Sequence, residues 1–140
     1  MNGHGGNTSA LQNAAKEISA PLKVRILVVN WWTLASDETF EVFSENGGHA
    51  GNNETAYIQA VYPDYIRPDL YDPKMAAVNP AGNAWSAVPV PASILLYEEG
   101  EGHPAFDPDQ ARDYFEKVNR KVADLIEDII DKWDRAGLYR

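Results

Sequence analysis

An α/β sandwich is the fold that this sequence predicts, and three stretches predict it. Val24-Arg25-Ile26-Leu27-Val28-Val29 is rich in β-branched residues and almost continuously apolar, which is how a strand buried on both faces of a parallel sheet reads. Over residues 109–135, Tyr114, Phe115, Val118, Val122, Leu125, Ile126, Ile129, Ile130 and Trp133 recur at helical spacing. A long amphipathic helix of this kind must lay its apolar face on something, most simply a sheet. A shorter helix ahead of the strand completes a helix–strand–helix order, which argues for helices layered on a sheet.

Each element has its own local signals. Residues 7–20 read as a helix that Asn7 can cap, with Leu11, Ala14, Ala15 and Ile18 on one stripe and Pro21 as its stop. The strand over 24–29 runs straight into Asn30-Trp31-Trp32, and residues 36–51 are polar and end in a glycine-rich loop. Residues 54–62 are helical, with Ala56, Tyr57, Ala60 and Val61 on one side and Pro63 as the stop. Residues 63–92 are proline-rich and read as ordered loop with little regular structure. Residues 93–97 form a further candidate strand. The last helix has the clearest ends: Asp107 caps it, Pro108 takes the first helical position, Asp109 complements the positive end, and Gly137 suits the stop. Without an internal repeat or linker, residues 1–140 read as a single domain.

Composition narrows the function. The 140 residues are 44% hydrophobic and 24% charged, a globular balance. The formal net charge of −9 advertises no basic face, which argues against nucleic acid as a partner. No apolar run approaches 18 residues, so no membrane span is expected. The lack of cysteine excludes a disulfide framework and a thiolate zinc site. The first ten residues are rich in Gly and Asn instead of basic and then apolar, which is not a signal peptide. A soluble, cytoplasmic protein is the expectation.

Two segments stand out chemically: Asn2-Gly3-His4-Gly5-Gly6-Asn7 and Gly47-Gly48-His49-Ala50-Gly51-Asn52-Asn53-Glu54-Thr55. Each sets a histidine in a glycine-rich turn just ahead of an Asn-capped helix. Glycine admits backbone angles closed to other residues and lets a ligand come close. Imidazole in such a loop can bind a metal or move protons near neutral pH. Taken singly, each feature has a plainer explanation. A glycine-flanked histidine serves as a turn residue, Asn before a helix as a cap, and Glu54 as a partner for the helix dipole. It is the pairing of two such loops, in a chain with three histidines, that points to a shared pocket for His4 and His49. His103, in Gly-Glu-Gly-His-Pro, reads as a surface loop residue. No His-Glu-x-x-His helix, Gly-x-Ser-x-Gly elbow or Gly-x-x-x-x-Gly-Lys loop is present.

The two loops in this order, with the continuation Ala60-Val61-Tyr62-Pro63-Asp64, resemble the creatininase family over most of the chain. The resemblance implies a three-layer αβα sandwich with a mostly parallel sheet and a site for zinc or manganese, often two ions. It also implies hydrolysis of a C–N bond in a small amide or cyclic amide by metal-activated water. By motif position His4 is a metal ligand, His49 the catalytic proton-transfer residue, and Glu54 a catalytic or metal-proximal carboxylate. Trp32, Gly5 and Gly48 fall in the substrate pocket. The sequence also departs from the family pattern. No Glu-x-His element precedes His4, Gly6 stands where creatinine-hydrolysing members carry a glutamate, Glu45 lies near the place of a pocket tryptophan, and Ala56 replaces a serine. These departures argue against creatinine as substrate. They also imply the C-terminal half of such a domain, completed by a homo-oligomer or a complementing N-terminal chain. The alternative is a non-catalytic domain that keeps the fold and acts by assembly.

Overall fold

The structure is a computed structural model that describes residues 1–78, 85, 87–96 and 99–139. It is a mixture of helices and a small parallel sheet, and it falls into two compact units, residues 1–35 with 118–140 and residues 36–117.

In the first unit a 3-10 turn, Gly5–Asn7, flows directly into α1 (Thr8–Leu22). Asn7 does not cap α1 with its side chain. It has already adopted helical angles, φ −86° and ψ −15°, and its N–H reaches the His4 carbonyl at 3.1 Å. Pro21 does not stop the helix either, because it sits in the last turn, where its fixed φ suits the helix and one backbone bond is lost. The stop comes two residues later. Lys23 turns left-handed at φ 51°, its N–H meets the Ala20 carbonyl, and the Val24 N–H reaches back to Ser19. That is the Schellman closure, made here without glycine.

Residues 24–29 are not the interior strand that their composition suggests. Residues 25–28 are half-buried and Val29 is buried, but Val24 is exposed. Among the described residues the stretch pairs only at its end, through the Asn2 N–H on the Val29 carbonyl at 2.7 Å and a parallel bridge between Asn2 and Asn30. A strand exists through its neighbours' hydrogen bonds, and here one residue supplies them. A side chain holds the segment instead. Arg25 donates to the Leu138 carbonyl (2.7 Å) and to Asp134 (2.8 Å), with its guanidinium 5.8 Å from the centre of the Trp133 ring. The contact grips the end of α5 (Pro108–Arg135), where Gly137 at φ 65° and the bonds Gly137 N–H to Asp134 and Leu138 N–H to Trp133 form a second Schellman closure.

The second unit is organised around the N-terminal part of α5. Asp107 caps that helix as expected, accepting from the N–H groups of Asp109 and Gln110. Ala111 and Tyr114 are buried in this unit; in the part of α5 that belongs to the first unit Val118 and Val122 are buried, and Ile126 and Ile130 are exposed. Within this unit the helix packs on other helices. Tyr114 shares a buried hydrogen bond of 2.8 Å with Thr39 and an edge contact with Phe43, both on α3 (Ser36–Phe43). Phe115 meets Tyr57 of α4 (Asn52–Val61). The proline-rich stretch contains 3-10 turns at Pro63–Tyr65, Pro68–Leu70 and Pro73–Met75, each opened by its proline. Residues 79–84 and 86 of that stretch lie outside the described residues. Beyond the last turn, β1 (Ala76–Val78) pairs in parallel with β2 (Ile94–Leu96), Ala76 opposite Ile94. The candidate strand at 93–97 is thus present, residue 97 itself lying outside the described residues.

The Thr39–Tyr114 pair generates a stability prediction. Burial, only partly opposed by the Thr39 hydrogen bond, raises the Tyr114 phenol to about 12. The folded state therefore favours the neutral phenol. This contribution is whole below pH 10, the ordinary tyrosine value, and is lost as pH rises towards 12. Tyr114→Phe removes that alkaline component and the buried Thr39–Tyr114 hydrogen bond, at a cost of about 1 kcal/mol. Denaturant unfolding of both proteins at neutral pH and across the alkaline range checks both expectations.

Candidate functional site

The first loop is organised by Asn2, which is buried. Its backbone N–H bonds Val29, its side-chain amide donates to Asn30 (2.8 Å) and Thr8 (3.2 Å), and its side-chain oxygen accepts the His4 N–H (3.2 Å). Asn2 belongs to the motif, yet sequence reasoning gives it no role. Its signal was an amide side chain amid glycines, able to donate and accept at once. His4 is extended (φ −148°, ψ 126°) and exposed, with its ring folded over Gly6. A Cβ at Gly6 would come 2.8 Å from His4 Nε2, so the residue that replaces the expected glutamate is also the one that makes room for the ring. Gly5 faces Trp32, whose ring would lie 4.0 Å from a Cβ there. On the short helix α2 (Trp31–Leu34) the two tryptophans divide their roles. Trp31 is core, and Trp32 is half-buried and meets it edge-on.

The second loop is tied by side chains that stand in for backbone. α4 begins after Gly51, so Asn52 and Asn53 lie inside its first turn instead of capping it. Asn53 accepts the Gly48 N–H (3.1 Å), and Asn52 donates to the Asn46 carbonyl (3.3 Å). Glu54 accepts the Ala50 N–H at 2.6 Å, a charge-assisted bond that commits one carboxylate oxygen to the loop. Ala50 itself is left-handed at φ 52°. His49 stands exposed at the tip, between residues fixed on both sides. A second segment closes on the loop from outside. Gly102 donates to the Asn46 carbonyl (2.7 Å), and Glu101 bridges Asn46 and lies beside Gly48. The approach requires glycine twice, because a Cβ at Gly51 would sit 2.5 Å from the Gly102 carbonyl oxygen and one at Gly102 would collide with the Asn52 amide.

The structure thus brings Gly5 to Trp32, and Gly48 and Glu54 to the His49 loop. The two histidines expected in one pocket fall one in each unit, His4 in the first and His49 in the second. In the first unit a broad concavity is lined by Lys23, Val24, Arg25, Asp134 and Tyr139 and includes none of the predicted site residues. Among the described residues no three His, Cys, Asp or Glu side chains gather into a group able to hold a metal ion. The described donors therefore do not make a complete metal site by themselves.

A family model described as Creatininase, creatinine amidohydrolase, matches residues 1–126, a span that includes both loops. The chain belongs to the creatininase family, whose members are generally metal-dependent. No curated protein and no solved structure matches the chain significantly.

The crowding at Gly51 can be tested directly. Gly51→Ala forces the added methyl against the backbone of Gly102 and Gly48, which is costly because neither can swing aside. A loss of about 1–3 kcal/mol in denaturant unfolding is expected, with faster hydrogen exchange at the Gly102 amide. Unchanged exchange there would show that the segments do not meet.

Proposed function

We propose that this chain is a creatininase-type amidohydrolase domain acting on the C–N bond of a small amide or cyclic amide, within the three-layer αβα sandwich of its family. The match over residues 1–126 carries this reading, and the braced His49 loop supports it. An imidazole at the tip of a loop fixed by Asn53 and Glu54 is oriented yet open to solvent. It can hand a proton to a departing nitrogen and recover one from water. In the second unit Gly48 leaves room for the substrate beside His49, and in the first unit Gly5 sets its own loop against the ring of Trp32. Glu54 contributes by holding the loop. His4 is the chain's candidate ligand for zinc or manganese, metals that accept imidazole and carboxylate donors. Among the described residues no three-ligand group gathers, so their part in the reaction is proton transfer, positioning and one metal ligand, His4. Further ligands are supplied by residues outside this set, by a second copy or by a complementing chain. Exposed apolar residues of the first unit, Leu11, Ile18 and Leu22 on α1 and Ile126 and Ile130 on α5, support such an association. Among the described residues no helix is long and apolar enough to cross a membrane, and the composition favours the cytoplasm.

A second reading is a non-catalytic domain that acts by assembly, supported by the same exposed apolar residues of the first unit. Metal analysis and turnover separate the two. With added Zn2+ or Mn2+, hydrolysis of simple amides and formamides should be weak for the isolated chain and should drop about 100-fold in His49→Ala, with the fold intact by circular dichroism. Turnover indifferent to His49→Ala, or absent with every metal and partner, leaves the assembly reading. The isolated chain should also retain less than one equivalent of either metal after dialysis, since a catalytic ion takes about three protein ligands. Stoichiometric metal with vigorous turnover by a monomer would instead mean that other carboxylates of this chain complete the site.

A further inference from the structure

The segment that closes on the His49 loop carries the chain's third histidine. Residues 101–106 are anchored at both ends, by Gly102 on the Asn46 carbonyl and by the Phe106 carbonyl, which accepts the side-chain amide of Gln59 of α4 at 3.0 Å. His103 lies between these anchors, next to the glycine packed against Gly51. Its ring is exposed, and its Nδ1 stands 2.7 Å from the Tyr71 hydroxyl. Tyr71 in turn is set edge-on against Phe106, 5.6 Å between ring centres. The contact commits one ring nitrogen and restricts the direction in which the other can point.

We propose that His103 is a substrate-positioning imidazole of the His49 site, its tautomer fixed by Tyr71. The Tyr71 hydroxyl donates to Nδ1, so that Nε2–H is left as a neutral donor for the carbonyl oxygen of an amide. Partial burial, reinforced by the charge of Asp72, holds the Tyr71 phenol above its ordinary range; a phenol carries its proton at neutral pH and can donate. The ligand class follows from the donor: an uncharged carbonyl acceptor, held while His49 handles the proton. The inference rests on the reading of the His49 loop as the reaction site.

The test uses the full chain labelled with 15N-histidine and observes the long-range imidazole couplings. The Nε2–H tautomer is expected at His103 in the wild type and should give way to a mixture in Tyr71→Phe. Titration with N-methylformamide should shift the His103 ring nitrogens. The shift should persist in His49→Ala, and the apparent affinity should fall about five- to ten-fold in His103→Ala, read from the backbone amides of residues 47–51. His103→Gln, which keeps a donor, should restore part of that loss. In turnover the His103→Ala defect should lie in KM and the His49→Ala defect in kcat. An Nδ1–H tautomer, or ring nitrogens unmoved by the amide, overturns the proposal. Turnover that fails in His49→Ala with KM unchanged in His103→Ala overturns it and leaves the amidohydrolase reading standing. Turnover indifferent to His49→Ala removes that reading, and the role of His103 with it.

Discussion

The carbonyl of Asn46 is the point on which the second unit's candidate site depends. It accepts two hydrogen bonds at once, from the Gly102 N–H and from the Asn52 side chain. One belongs to a segment more than fifty positions away, the other to the first turn of α4. A carbonyl has two lone pairs, and both find donors here. Spending both here joins the segment at Glu101, the His49 loop and α4 without any sheet between them. The two glycines at the crossing follow from the geometry, since a methyl at Gly51 or Gly102 would fill the space in which the bonds are made.

Asparagine does in this protein what backbone does in most. Asn2 replaces a strand neighbour for the Val29 segment and fixes His4, and Asn52 and Asn53 tie down the His49 loop. An amide side chain both donates and accepts, so one residue can bridge two irregular segments that no ladder could reach. Asn2, Asn52 and Asn53 are accordingly buried, an uncommon place for this residue type and one it occupies only when its hydrogen bonds are made. The histidines, by contrast, are exposed. Rigid support beneath and open imidazole above is the arrangement that proton transfer and substrate positioning require.

In the second unit, part of the hydrophobic core lies where α5 meets α3 and α4. Ala56, Ala111 and Tyr114 are essentially inaccessible there, and the Thr39–Tyr114 hydrogen bond lies in their midst. The apolar stripe of α5 outlasts this cover, as the exposure of Ile126 and Ile130 shows. That leaves the first unit with exposed apolar residues on two helices.

Much was legible in the sequence because its cause is local. The ends of α5 follow from Asp107, Pro108 and Gly137, whose capping and turn preferences act within a few residues, and α4 stops at Val61 ahead of Pro63 for the same reason. The paired glycine–histidine loops and the family were legible too, since a motif is a local pattern. What tertiary structure decided is non-local. Apolarity marks residues 24–29 as fit for a strand, but only partner strands can supply a ladder, and Asn2 alone pairs with them among the described residues. Asn7, Asn52 and Asn53 have the chemistry of caps. Whether each caps, braces or joins a helix depends on which carbonyls other segments bring near. His103 reads as surface from its neighbours in sequence, and its environment came into view only when Tyr71 and Gly102 were placed, because nothing in the sequence fixes how the proline-rich segment folds back.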